Sequence, residues 1–314
     1  MVRDGGDDGE CGMRFPDFLI IGAMKSGTTT LYRDLLTHPR IYMSTPKEPH
    51  NLCDDRVLTD AGRGEYAALF KSAGAEQLAG EASTGYTKLP DFPGVPARAT
   101  AVLPTHFKVI YIVREPVSRA ISHHTHASAS GVVTDPVDVA MRQHPMFINW
   151  GLYAMQIQPW LDALGPERVR IVRFETYVSN RTAGIVDVSR FLGLDPRPDL
   201  IEVEKVFNKS DGKAVGKGVW GKFRKTSLYR GVIRPLLPVS ARDRLRDSLL
   251  PTAPPKPAPP TLDTIDYLIE RLAPDAERLA TLMGNAGTLW DFDDVRRKAA
   301  GQGGESPVLQ AVAS

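Results

Sequence analysis

Cysteine is nearly absent. Cys11 and Cys53 are the only two in 314 residues. They are too few for a disulfide framework, and neither has a metal-like partner at a suitable spacing. That argues against a stapled secreted scaffold and for a reducing compartment, so the expected location is cytoplasmic. No stretch approaches the roughly 18 to 20 apolar residues that span a bilayer, so no stable membrane insertion is expected. A charge excess is missing as well: 39 Lys and Arg face 37 Asp and Glu, for a formal net charge of +2. Such a balance gives no electrostatic case for a nucleic-acid partner.

The opening residues, MVRDGGDDGECGMRF, are acidic and glycine-rich and lack the apolar core of a signal peptide. Residues 1–14 read as a disordered lead-in and 296–314 as a flexible tail. Residues 15–295 between them read as one domain, and 42% hydrophobic residues in the chain suffice for its core. A Pro-rich connector, residues 251–260, lies inside that domain and can be neither regular helix nor strand. Nothing in the composition sets the oligomeric state.

Phe18-Leu-Ile-Ile21 is a short apolar run between Pro16 and Gly22, the pattern of a buried parallel strand. Leu78–Ala82, Lys108–Val113 and Arg168–Phe174 are further strand candidates. Helices are expected over Ser26–Thr37, from Pro116 through His126, over Thr176–Leu192, and over Leu262–Met283 with a break at Ala273-Pro274. Alternating strands and helices imply an α/β chain: a P-loop-like three-layer fold with a central parallel sheet flanked by helices. Such sheets bind ligands at the carboxyl ends of their strands, where Lys25 and Arg114 both fall.

The loop itself is Gly22-Ala-Met-Lys-Ser-Gly-Thr-Thr-Thr30. Glycines let a backbone approach an anion, and the following helix presents unpaired N–H groups. In a nucleoside triphosphatase a lysine follows the last glycine and reaches the outer phosphates. Here Thr28 stands there, and the lysine is displaced to Lys25. The pattern suits a 5′-phosphate held without a magnesium-bound triphosphate. A strand–turn–helix junction that binds nothing also uses glycine.

FLIIGAMKSGTTTLYRDLLTHP, then KEPHNL, then YIVREPVSRAISHH resemble the sulfotransferases that use 3′-phosphoadenosine 5′-phosphosulfate (PAPS). The resemblance is to the heparan-sulfate N- and O-sulfotransferase branch, in a soluble bacterial-type form, rather than to the cytosolic phenol and steroid enzymes. Its blocks cover residues 16–130, with weaker matches at Arg173-Phe-Glu175 and around Asn208. It implies PAPS as cosubstrate, 3′,5′-adenosine bisphosphate as product, and no metal. It implies that Lys25, Ser26, Gly27, Thr28 and Thr29 bind the 5′-phosphosulfate, and that Arg114 and Ser122 bind the 3′-phosphate. The late loop with Lys209, Ser210, Lys213, Lys217 and Gly218 resembles the one that closes over the nucleotide. For Arg114, the plain alternative is a surface salt bridge with Glu115 or another acid.

Transfer of a sulfuryl group needs a general base for the acceptor proton and a cation at the leaving phosphate. Lys25 suits the second role. In Thr45-Pro-Lys-Glu-Pro-His50, two prolines are expected to hold the chain extended, so that Glu48 and His50 point the same way. The resemblance makes Glu48 the base, with His50 orienting it or the acceptor; a solvated Lys47–Glu48 pair is the plainer reading. The family's E-K-(S/T)-P-x-Y segment appears as Glu81-Ala-Ser-Thr-Gly-Tyr86, with Ala82 in place of the lysine and Glu81 as a second base candidate. His123 and Tyr153 are expected to line the acceptor site, Tyr153 being as readily core. His123 or His124 is a fallback base, and His123 with His126 lacks the third ligand of a metal site.

The expected reaction is therefore sulfuryl transfer from PAPS to a hydroxyl, less readily an amine, of a carbohydrate, glycolipid or secondary metabolite. A P-loop small-molecule kinase and a non-catalytic nucleotide-binding protein are the alternatives. The acceptor itself, glycan or small molecule, is not named by any stretch of the sequence.

Overall fold

The computed structural model describes residues 13–203 and 257–301. Five strands, β1 (Phe18–Gly22), β2 (Ile41–Met43), β3 (Leu78–Ala82), β4 (Lys108–Val113) and β5 (Val169–Arg173), form one sheet. Their order is β2-β3-β1-β4-β5, and every neighbouring pair is parallel. The helices are α1 (Thr28–Leu36), α2 (Asp60–Ala67), α3 (Val95–Val102), α4 (Pro116–Ser130), α5 (Val137–Gln143) and α6 (Met146–Asn149). They continue with α7 (Tyr153–Leu164), α8 (Phe174–Ser179), α9 (Arg181–Leu192), α10 (Leu262–Leu282) and α11 (Phe292–Gly301).

Every residue of β1 is buried, as a strand covered on both faces requires. Leu19 and Ile21 join Val109 and Tyr111 under α3 and α7. Phe18 and Ile20 join Ile110 and Ile112 under α1 and α9. The period of two thus splits one apolar run between two layers of core. Each fully buried aliphatic side chain contributes roughly 1.5–3 kcal/mol. A third cluster sets Val117 and Ala120 of α4 against Ile265, Leu268 and Leu272 of α10.

Some sequence expectations need correction. The helix expected over Thr176–Leu192 is two helices. Asn180 leaves the helical conformation, and its side chain caps α9 by accepting from the Ala183 N–H at 2.9 Å. No break occurs at Ala273-Pro274: α10 continues through Pro274. Its buried stripe (Ile265, Leu268, Leu272, Ala276, Leu279) outweighs the roughly 3 kcal/mol that an interior proline costs. The first helix starts at Thr28, leaving Ser26 in the loop. The tail expected from residue 296 begins inside α11, which reaches Gly301. Of the connector, only residues 257–260 are described, without regular structure. Among the described residues, no helix is long and apolar enough to cross a membrane.

One buried ion pair ties α1 to α9. The Asp34 carboxylate accepts from both Nε and Nη2 of Arg181 and from the Tyr177 hydroxyl, the last at 2.5 Å. The two charged side chains are 2% and 6% exposed. Removing one partner strands the other charge, so Arg181→Ala is expected to lower unfolding stability by about 3–5 kcal/mol. Chemical denaturation measures it, and a loss below about 1 kcal/mol would show that water enters and replaces the pair.

Candidate active site

Strands β2 and β3 lie on one side of β1, and β4 and β5 on the other. The loops leaving the carboxyl ends therefore meet around β1, where open sheets of this kind hold ligands. Four of them carry the residues singled out by the sequence.

The loop after β1 turns through two left-handed residues, Lys25 at φ 68° and Gly27 at φ 88°. A Cβ at Gly27 would lie 2.6 Å from the Phe174 ring, so only glycine fits there. The first turn of α1 has no acidic residue and no side-chain cap. Its positive end and N–H groups are therefore left for an anion. Ser26 and Thr28 are buried and Thr29 is half-buried. Arg114 follows β4. Its Nη1 donates to the Lys25 carbonyl at 3.4 Å, and its guanidinium sits 5.1 Å over the Phe174 ring. The structure thus brings the Lys25 loop and Arg114 side by side. Ser122 lies half-buried about two turns into α4.

Arg114 is not the salt-bridge partner of Glu115. The Glu115 carboxylate caps α4, accepting from the Val117 and Ser118 N–H groups at 2.7 Å each. Tyr153 is fully buried, and its hydroxyl donates to the Arg114 carbonyl at 2.8 Å. It supports the arginine from below and cannot line an acceptor site, which corrects that expectation. Lys209, Ser210, Lys213, Lys217 and Gly218 lie outside the described residues.

On the other side of β1, Glu48 and His50 have φ 64° and 60°, so the segment is not the extended chain its prolines suggested. Left-handed backbone at non-glycine residues costs roughly 1–2 kcal/mol each. The two side chains converge all the same, with His50 Nε2 at 3.4 Å from Glu48 Oε2. Oε1 accepts from Lys47 Nζ at 2.5 Å, and Oε2 accepts from the Thr84 N–H and hydroxyl at 2.9 Å each. Burial pushes the Glu48 pKa up, but the Lys47 charge and these hydrogen bonds prevail and hold it below the usual value of 4.5. The His50 pKa is lowered from 6.5, first by burial and then by Lys88 and Lys47, against the raising effect of Glu48. At neutral pH the pair is an ionised carboxylate beside a neutral imidazole.

Glu81 is fully buried and cannot reach an acceptor, so it is no base. Its carboxylate accepts from Ser83 Oγ at 2.6 Å, from the Tyr86 hydroxyl at 3.0 Å, and from the Tyr66 hydroxyl. The fallback histidines are excluded too. His123 is 3% exposed and stacks on Trp150 at 4.9 Å, and burial together with Arg119 and Lys88 pushes its pKa down to about 2. It neither lines the acceptor site nor takes a proton there. His124 is buried, with Nε2 at 2.9 Å from the Asp135 carbonyl.

Lys88 escaped the sequence reading. Its ammonium lies 4.4 Å over the Trp150 ring. Burial lowers its pKa, and the Glu48 charge opposes that shift. Its charge acts on both Glu48 and His50, beside that of Lys47. Lys88 belongs to no motif, and it is placed by Gln156 of α7, which bonds both N–H and carbonyl of Leu89 at 2.8 and 3.0 Å.

The description "sulfotransferase domain" belongs to the family whose pattern matches residues 15–214. Bifunctional heparan sulfate N-deacetylase/N-sulfotransferase 2 of Homo sapiens is 28% identical over 207 residues, covering 58% of this chain and 22% of that protein. Heparan sulfate glucosamine 3-O-sulfotransferase 6 of Mus musculus is 29% identical over 234 residues, 71% of this chain and 64% of that protein. The chain thus spans about a fifth of the first relative's length and under two thirds of the second's. A solved sulfotransferase from Alicyclobacillus acidocaldarius superposes with a TM-score of 0.61 at 23% identity, covering 90% of this chain and 99% of that one. That likeness shows a shared fold.

Proposed function

Since the chain belongs to the sulfotransferase domain family, we propose that it moves the sulfuryl group of PAPS to an acceptor hydroxyl, less readily an amine. The observation that carries this reading is the contact of the Arg114 guanidinium with the Lys25 loop, 3.4 Å from the Lys25 carbonyl. Two cationic sites so close can grip both ends of one doubly phosphorylated adenosine. Arg114, with Ser122, takes the 3′-phosphate; arginine grips phosphate through parallel donors. The N–H groups and hydroxyls from Ser26 to Thr29 take the 5′-phosphate.

The acceptor oxygen attacks sulfur in line while the bond from sulfur to the 5′-phosphate oxygen breaks. Glu48 receives the acceptor proton, and one lone pair on Oε1 remains for it after Lys47 and Thr84 take theirs. The departing electron pair stays on the phosphate oxygen, where Lys25 stabilises it. No step needs a metal. The relatives are named for heparan sulfate, which favours a carbohydrate acceptor over a glycolipid or secondary metabolite.

Nucleotide preference tests the reading. At about 100 times its dissociation constant, 3′,5′-adenosine bisphosphate is expected to stabilise the protein by roughly 2.7 kcal/mol, read as a rise in Tm. ATP at the same concentration should do far less, because Thr28 stands where a triphosphate-binding lysine belongs. Arg114→Ala should weaken 3′,5′-adenosine bisphosphate by about 1.5–3 kcal/mol and leave 5′-AMP unchanged. Equal stabilisation by ATP, or equal losses for the two adenosine phosphates, would overturn it. A screen of acceptors with labelled PAPS then identifies the substrate.

A further inference from the structure

We propose that Glu81 is a positioning residue, which from inside the protein holds the Glu48–His50 segment in its working shape through Ser83 and Tyr86. The proposal rests on the reading that Glu48 receives the acceptor proton. Its ground is the direction of the hydrogen bonds. Ser83 spends its hydroxyl proton on Glu81 at 2.6 Å, so the oxygen lone pair is left to accept from the His50 N–H at 3.1 Å. Tyr86 likewise donates to Glu81 at 3.0 Å and accepts from the Leu52 N–H at 3.3 Å. The buried carboxylate thus orients two hydroxyls, and each hydroxyl fixes a backbone N–H of the base segment.

That segment needs holding. Glu48 and His50 are both left-handed, and such backbone persists only where its surroundings over-determine it. Lys47 and Cys53 bond the segment locally, and its anchors from far along the chain come from the stretch that follows Glu81: the Ala82 carbonyl takes the Glu48 N–H at 2.9 Å, and Thr84 grips the Glu48 carboxylate. The His50 ring lies directly on Gly85, where a Cβ would come within 2.6 Å of Nδ1. Tyr66 differs from the other two donors. Its hydroxyl bonds Glu81 and meets the Tyr86 hydroxyl, but among the described residues no backbone N–H of the base segment donates to it.

In Glu81→Gln one accepting oxygen becomes an NH₂ group. The amide then donates to a hydroxyl oxygen whose lone pair was committed to His50 or Leu52, and the segment loses an anchor. The readout is the titration of the His50 ring protons by NMR, assigned against His50→Gln. In the wild type burial, then Lys88 and Lys47, are expected to hold the His50 pKa below 6.5 against the raising charge of Glu48. Glu81→Gln and Ser83→Ala are expected to move that titration up toward 6.5, as the ring gains water. Tyr66→Phe should lower Tm yet leave the His50 titration in place. With the acceptor found by the screen, Glu81→Gln and Ser83→Ala should lower kcat about ten- to a hundredfold at unchanged Kd for 3′,5′-adenosine bisphosphate. In a Glu48→Gln background Glu81→Gln should add no further loss. An unmoved His50 in Ser83→Ala, or an equal shift in Tyr66→Phe, overturns the proposal. If Glu81→Gln does not fold, the contrast between Ser83→Ala and Tyr66→Phe decides alone. If the wild type sulfates no acceptor, the functional reading falls while the titration still settles the positioning role.

Discussion

Glu48→Gln should lower turnover by about 10²- to 10⁴-fold, the usual contribution of a positioned base. The amide keeps the size of the carboxylate, and its oxygen can still accept from Thr84 at Oε2. What it loses is basicity, so Kd for 3′,5′-adenosine bisphosphate should not change. The pH dependence carries a second check. Burial raises the Glu48 pKa, Lys47 and Thr84 lower it more, and the net value lies below 4.5. The carboxylate is therefore ionised above that pH, and the activity it supports is lost only as pH falls through it. The acid limb of kcat in the wild type should lie below pH 4.5. A limb centred near 6.5, the ordinary histidine value, would assign the base to an imidazole instead. Turnover in Glu48→Gln within threefold of wild type would remove Glu48 from the reaction.

Lys25→Ala should cost about 10²–10³ in kcat and much less in nucleotide affinity. The lysine meets charge that grows on the leaving phosphate oxygen, and that charge is larger in the transition state than in the ground state. The loop N–H groups and the α1 terminus remain to bind the phosphate. Alanine also preserves the backbone, because the Lys25 carbonyl, not its side chain, accepts from Arg114. Alanine at φ 68° carries the same strain as lysine. Single-turnover rates beside equilibrium binding of 3′,5′-adenosine bisphosphate separate the two effects. Equal losses in both would make Lys25 an anchor and nothing more.

The strand–turn–helix around Lys25 was legible because it is local in sequence. One strand, one glycine turn and one helix start fall within thirteen residues, from Phe18 to Thr30. β3 and β4 could be read to the residue: β4 is an unbroken apolar run after Lys108, and β3 a weaker run of small and apolar residues interrupted by Glu81. β2 escaped notice: Ile41–Met43 has three residues and no periodicity to detect. The convergence of Glu48 and His50 was legible and the shape of their segment was not. Glu48 and His50 meet because residues 82–85, more than thirty positions on, hold them there. Period-two reasoning reached the right pair through the wrong backbone. The burial of Glu81 and His123, and for Tyr153 the choice between core and site, was not legible for one physical reason. Polar side chains in a motif look available for chemistry until packing seals them, and packing is written by residues far along the chain. Lys88 shows the converse, a cation without a motif that Trp150 and Gln156 put in place.

The strand order has a consequence for how such a protein can change. Loops that would grip the nucleotide leave β1 and β4, whereas those bearing the candidate base Glu48 and the Lys88 cation leave β2 and β3. The central strand is a border between two workshops, one standardised and one open to novelty. Under the proposed function, substitutions confined to the far bench would retarget the chain to new acceptors generation after generation, while the proposed donor site is inherited intact.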